Sequence, residues 1–189
     1  MKLTLNQKLF LKINKNVGKR PVFDRVMYFC GQWMIFVLVF FVAILALIFL
    51  RKQEYTFFII GAGSIFLFGY ALSYSIALLF RNPRPVVELP NVKTLITPME
   101  NWKSFPSEHT IASTLLTIFS WSITHSFTLV ICIAVGALSV MAGRVYCGVH
   151  YPRDIIGGIF VALFSTAVLV FGFIFFQIFI LGNVPTITN

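Results

Sequence analysis

The chain has 189 residues, of which 58% are hydrophobic and only 11% charged, against roughly half and a quarter in ordinary soluble domains. That composition excludes a soluble globular domain and predicts an integral membrane protein, with room for one compact helical bundle and little more. The net charge of +9 sits in loops and the amino terminus, so it points to anionic lipid headgroups and phosphate rather than nucleic acid as partners.

In chain order, residues 4–17 place Leu5, Leu9, Ile13 and Val17 at four-residue intervals, with Lys8, Lys12 and Lys15 off that stripe. Thr4 and Gln7 stand at capping-box spacing. This predicts an amphipathic helix within an N-terminal segment, 1–21, which either lies in the headgroup layer or packs on the bundle. Its residues are polar and basic, so no cleavable signal peptide is expected and insertion uses the internal apolar segments.

The remainder, 22–181, reads as one helical bundle in a single membrane-embedded domain. After a lead-in over 22–30, the run from Gln32 to Leu50 approximates the ~20 residues that cross a hydrocarbon core. Arg51 to Glu54 make a polar hairpin. Tyr55 to Phe80 is a second span, in which Gly61, Gly63, Gly69 and Ser64 invite close helix approach. Residues 81–106 form the substantial loop. Further apolar runs cover Thr110 to Ile123, Phe127 to Gly143 and Ile155 to Leu181. Because these runs are continuously apolar rather than alternating, they predict an all-α integral membrane fold of about five transmembrane helices, not a β-barrel. Five crossings bring the 81–106 and 144–153 loops to one face. His125 falls on the opposite face as a lone polar turn residue, and the many phenylalanines are lipid-facing and inter-helix filler.

Chemistry concentrates in those two loops. Arg144 to Asp154 reads Arg-Val-Tyr-Cys-Gly-Val-His-Tyr-Pro-Arg-Asp, and ionisable groups at the end of a membrane segment are costly unless paired, solvated or used. The structural alternative is an Arg144–Asp154 ion pair with His150 as a bystander. Pro152 starts a helix, placing Asp154 in its first turn and His150 just before it. A carboxylate there can hold one imidazole nitrogen and leave the other free as a nucleophile. Phe105-Pro106-Ser107-Glu108-His109 stands before an apolar helix, so Ser107 is a candidate N-cap and the first-turn amides form an anion site. Arg81-Asn82-Pro83-Arg84-Pro85 adds guanidinium groups. Cys147 has no acid or base partner in sequence and reads, with Cys30 and Cys132, as a reduced small hydrophobe.

Arg84-Pro85, Pro106-Ser107-x-His109 and Arg144-x5-His150-x3-Asp154 together resemble the three signature motifs of the type 2 phosphatidic acid phosphatase superfamily, which shares its pocket with vanadium haloperoxidases. The resemblance spans roughly residues 20–180. It implies that His150 attacks phosphorus to form a phosphohistidine, that Asp154 orients it, and that His109 protonates the leaving oxygen. It also implies that Arg84, Arg144 and Ser107 hold the phosphoryl oxygens, with no metal and no cofactor. Three positions depart from the family pattern. Ala77 stands where a lysine is usual, and Arg81 is the expected substitute charge; Glu108 replaces a glycine and needs a cation such as Lys103; Gly143 replaces a serine.

The short chain and the acidic residue in the second motif look most like the undecaprenyl-diphosphatases of the bacitracin-resistance type. The expected substrate is a polyprenyl diphosphate or another phospholipid phosphate, with no obligate protein partner. The alternatives are a phosphatase of lipid A, phosphatidylglycerophosphate or phosphatidic acid, a lipid phosphotransferase, or a non-enzymatic lipid-binding protein. The protein is expected to be multi-pass in the cell membrane. Its active site is expected to face away from the cytoplasm, although the surplus of lysine and arginine on that side argues the other way.

Overall fold

A computed structural model describes residues 3–179. The ends of the predicted segments at residues 1–2 and 180–181 lie outside it. Among the described residues the chain is all-helical: α1 (Leu5–Asn14), α2 (Pro21–Gln32), α3 (Met34–Phe49), α4 (Tyr55–Phe80), α5 (Pro85–Glu88), α6 (Glu108–Thr124), α7 (Phe127–Tyr146) and α8 (Pro152–Phe179).

The capping box forms as the sequence predicts, with the Gln7 amide donating to Thr4 Oγ1 at 3.3 Å and the Thr4 amide to Gln7 Oε1 at 2.9 Å. Of the predicted stripe, Val17, just past α1, is buried, but the leucine face within α1 is not. Leu5, Leu9 and Ile13 are 74%, 46% and 37% exposed, whereas Gln7, Phe10 and Asn14 are buried. Specific polar partners decide this: Gln7 Nε2 donates to Glu88 at 2.9 Å, and Asn14 exchanges two hydrogen bonds with the Lys93 backbone at 2.7 and 3.0 Å. α1 is therefore a strap across the 81–106 loop, with an apolar edge turned outward.

The predicted lead-in is a full helix, α2, which meets α3 at a 52° bend. At the break, Phe36 N donates to Trp33 O at 3.0 Å, a tighter turn than the α-helical step. Just before it, Gly31 lies backbone to backbone against Gly143 of α7; a Cβ on Gly143 would sit 2.4 Å from Gly31 N.

Three helical stretches, Lys52–Glu88, Phe127–Tyr146 and Pro152–Phe179, are long and apolar enough to cross a membrane, and the bent α2–α3 pair makes a fourth. The 17-residue α6 is not among them. It is sheathed by its neighbours, packing against α7, α8, α3 and α4. The main core gathers Ile111, Leu115 and Phe119 of α6 with Leu38, Ala137 and Val140. Enclosure lets α6 carry Ser113, Thr117 and Ser120, whose hydroxyls donate back to carbonyls of their own helix at 3.2, 3.0 and 2.7 Å. Outward-facing Phe36, Phe40, Phe57, Phe160 and Phe171 are all exposed, an apolar belt of the kind that lipid covers.

Candidate active site

The two loops that carry the chemistry meet at one end of the bundle, under α1. Between α7 and α8, Gly148 takes φ +84°, and a Cβ there would lie 2.6 Å from Lys93 O; only glycine makes this turn at such an approach. The turn delivers His150 to the loop between α5 and α6. Its Nδ1 lies 2.9 Å from Ser104 O and 3.6 Å from Asp154 Oδ2.

The direct orienting contact is thus the Ser104 carbonyl, a residue that sequence reasoning missed. Asp154 stands just behind it, accepting from Ser104 Oγ at 2.5 Å and from the Tyr151 amide at 2.8 Å. A carbonyl only accepts, so Nδ1 carries the proton and Nε2 presents its lone pair. That nitrogen points toward Arg84, whose Nη1 is 3.2 Å away. Burial, abetted by Arg144 and Arg84 and opposed by Asp154, pushes the His150 imidazole down to about 4, so it is neutral at physiological pH.

A cavity of about 410 Å3 opens beside His150 and is also lined by Arg84, Lys103, Glu108, His109 and Arg144. Arg84 is held by the carbonyls of Glu100 at 2.5 Å and Val149 at 2.9 Å. Arg144 is 5% exposed and donates through Nη1 to Gly31 O at 3.1 Å, while its buried Nε has no partner. Among the described residues neither guanidinium pairs with a carboxylate. Two partly or fully buried guanidinium groups, met by carbonyls and, for Arg84, by His150 Nε2, suit an anionic ligand.

Two expected phosphate ligands, Arg81 and Ser107, are not among the residues that line the cavity. Arg81 is exposed and terminates α4 in a left-handed conformation, φ 38°; the cavity's third cation is Lys103. Ser107 occupies the N-cap position of α6, but its hydroxyl caps no amide. Its N–H donates to Asp154 O at 3.0 Å, and Oγ is buried without a partner beside the cavity-lining residues Pro106 and Glu108. The first-turn amides of α6 keep their free donors.

Glu108 pairs with Lys103, the cation the sequence suggested for it. Gly143 faces Gly31, where a serine side chain would clash. Cys147 is fully buried; burial pushes its thiol up to about 12, so no thiolate is available for attack. His125 is exposed at the opposite end of α6. Among the described residues no three side chains of His, Cys, Asp or Glu gather as a metal site. A second cavity, about 700 Å3 and lined by Lys12, Lys19 and Arg20 beside α1, contains neither motif histidine.

A helical bundle with apolar spans whose cavity, at one end of its central helix, is lined by two histidines and two arginines without carboxylate partners defines a membrane phosphatase. The chain belongs to the PAP2 superfamily, whose family model matches residues 58–178, and it is a phosphoric-ester hydrolase. Undecaprenyl-diphosphatase BcrC of Bacillus subtilis (strain 168) is 27% identical over 181 residues, covering 92% of this chain and 83% of that protein. Bacitracin transport permease protein BcrC of Bacillus licheniformis is 31% identical over 165 residues, covering 85% of this chain and 77% of that protein. The crystal structure of Aquifex aeolicus LpxE shares the fold, with a TM-score of 0.67 at 23% identity over 89% of this chain and 96% of that one.

Proposed function

We propose that this protein is a metal-independent lipid phosphatase acting on a polyprenyl diphosphate, undecaprenyl diphosphate in particular, through a phosphohistidine. The observation that carries the reading is the pair of guanidinium groups without carboxylates, Arg84 and Arg144, facing the same cavity as a neutral, Nδ1-protonated His150.

His150 Nε2 attacks phosphorus while the Ser104 carbonyl holds the opposite nitrogen, and Asp154 at 3.6 Å stabilises the positive charge that develops on the ring. Arg84, Arg144 and the first-turn amides of α6 hold the phosphoryl oxygens, the electrostatic stabilisation that phosphoryl transfer chiefly needs. Ser107 Oγ, buried and without a partner between the cavity-lining Pro106 and Glu108, is a further donor to the phosphoryl group. His109 protonates the leaving oxygen, then takes a proton from the water that cleaves the phosphohistidine.

The domain crosses the bilayer five times, with α6 as the enclosed crossing and α1 lying in the headgroup layer, its outward leucines on lipid and its lysines on anionic headgroups. The active site faces away from the cytoplasm. Support for the diphosphate substrate comes from the name of the B. subtilis relative; the other relative's name favours a second reading, a transport subunit with a degenerate pocket. Intact His109 and His150 lining a cavity with unneutralised arginines, with Asp154 behind His150, favour the enzyme.

Purified protein should release phosphate from undecaprenyl diphosphate in the presence of a chelator and be inhibited by vanadate. A requirement for added divalent metal refutes the scheme, and transfer of phosphate to an added acceptor lipid in preference to water makes the protein a phosphotransferase. For orientation, a cysteine at the exposed Asn91, in a background without native thiols, should react with an impermeant maleimide in intact cells; labelling only after lysis places the site in the cytoplasm.

A further inference from the structure

Lys103 lines the cavity, yet the scheme above gives it no task. It is 6% exposed, pairs with Glu108, and lies 4.9 Å from the centre of the Tyr74 ring. All three side chains line the same cavity as the two histidines. An ammonium carries three donors. One meets Glu108, and among the described residues the other two meet no acceptor. The pair is therefore open toward the cavity rather than closed on itself.

Its position relative to the reaction axis matters. Arg84 stands against His150 at 3.2 Å, whereas Lys103 pairs with Glu108, the residue before His109 at the start of α6. Attacking and leaving atoms lie on opposite sides of phosphorus in a phosphoryl transfer. With His150 attacking, the leaving group departs toward His109, whose sequence neighbour Glu108 holds Lys103. A lipid monophosphate would send an uncharged alcohol there. A lipid diphosphate would send a phosphate monoester, an anion that calls for a cation. The two arginines already match the charge of the transferred phosphoryl group. Glu108 would repel the departing phosphate while paired nearby, but its side chain is 34% exposed and can turn to the cavity mouth. The other carboxylate of the lining, Glu100, is already exposed there.

We infer that Lys103 is a specificity-determining residue that exchanges Glu108 for the leaving phosphate, making the cavity selective for diphosphate esters of lipids over monophosphate esters; this rests on the phosphatase reading. The Nε2–P bond forms as the bond from phosphorus to the bridging oxygen breaks. The electron pair stays on that oxygen, which takes a proton from His109 and leaves as lipid monophosphate on Lys103. Water then attacks phosphorus, giving a proton back to His109. The N–P bond breaks to free inorganic phosphate and neutral His150. Diphosphate and water thus yield monophosphate and phosphate.

Binding of farnesyl methylenediphosphonate and farnesyl phosphonate, both non-hydrolysable, tests the inference by calorimetry on the full-length protein in detergent. Wild type should prefer the diphosphonate. Lys103→Met should narrow that preference about 10- to 100-fold, the range of one charge-assisted hydrogen bond; Lys103→Arg should retain it, and Glu108→Gln should widen it. Equal weakening of both ligands in Lys103→Met, or no change in their ratio, overturns the inference, as does a wild type without preference. Phosphate release from farnesyl diphosphate is measured alongside. Preferential binding without turnover sinks the phosphatase reading and leaves the selectivity, whereas turnover with an unchanged ratio does the reverse. Melting curves of each variant exclude loss of fold as the cause.

Discussion

Restoring the serine that the family pattern favours at position 143 should damage this protein. A Cβ added to Gly143 would lie 2.4 Å from Gly31 N, 2.7 Å from Gly31 Cα and 2.9 Å from Cys30 C, against roughly 3.5 Å or more for comfortable contact. These neighbours are backbone atoms, which cannot rotate aside, so α2 must recede by about 1 Å, an overpacking cost of about 1–3 kcal/mol. The same displacement stretches the 3.1 Å bond from Arg144 Nη1 to Gly31 O toward 4 Å, beyond hydrogen bonding. Because Arg144 Nε already lacks a partner, the guanidinium then has nothing to hold it. A displacement near 1 Å at a phosphate ligand costs about 100-fold in turnover. We expect Gly143→Ser and Gly143→Ala to melt lower and to lose about 10- to 100-fold in kcat/KM, measured by phosphate release in detergent. Gly61→Ala, where an added Cβ meets nothing within 4 Å, is the matched control and should behave as wild type. If Gly143→Ser melts and turns over like wild type, the claim that the α2–α7 contact sets Arg144 is wrong.

His150→Ala and His109→Ala should each lower turnover by several orders of magnitude, because nucleophile and general acid are removed from a site with no substitute. Cys147→Ser should stay near wild type in the same assay; a large loss there would reassign the nucleophile. Nitrogen-15 NMR of labelled histidine should find His150 neutral and Nδ1-protonated down to about pH 4. Its folded value lies below the ordinary 6.5, so the unfolded chain binds the proton first as pH falls, and stability drops between about 6.5 and 4 while staying level above that window. A midpoint near 6.5 would contradict the burial argument. Ser104→Ala should leave Asp154 with the Tyr151 amide as its remaining hydrogen-bond donor, beside the longer contacts with Arg153 at 3.5 Å and His150 at 3.6 Å, with a stability loss of about 1–3 kcal/mol and a fall in kcat larger than any change in KM. An unchanged kcat would remove Asp154 from the positioning of His150.

Membrane residence, the helical class and the meeting of the two motif loops were legible in the chain itself. Long uncharged runs leave no other way to satisfy backbone polar groups in lipid, and local spacing ties His150 to Asp154 and Ser107 to the start of α6. Tertiary structure decided what depends on contacts distant in sequence. The imidazole is oriented by Ser104 O, 46 residues away along the chain, and a backbone carbonyl has no side-chain signature to read. α1 buries Gln7, Phe10 and Asn14 rather than Leu5, Leu9 and Ile13 because Glu88 and the Lys93 backbone offer hydrogen bonds and Tyr151 packs on Phe10. Arg81 was expected at the phosphate and Lys103 only as a counter-ion; Arg81 is exposed at the left-handed end of α4, and Lys103 lines the cavity. Enclosure likewise explains α6, whose serines and threonines weaken its span signal yet suit the middle of the bundle, since a hydroxyl bonded to its own helix needs no water.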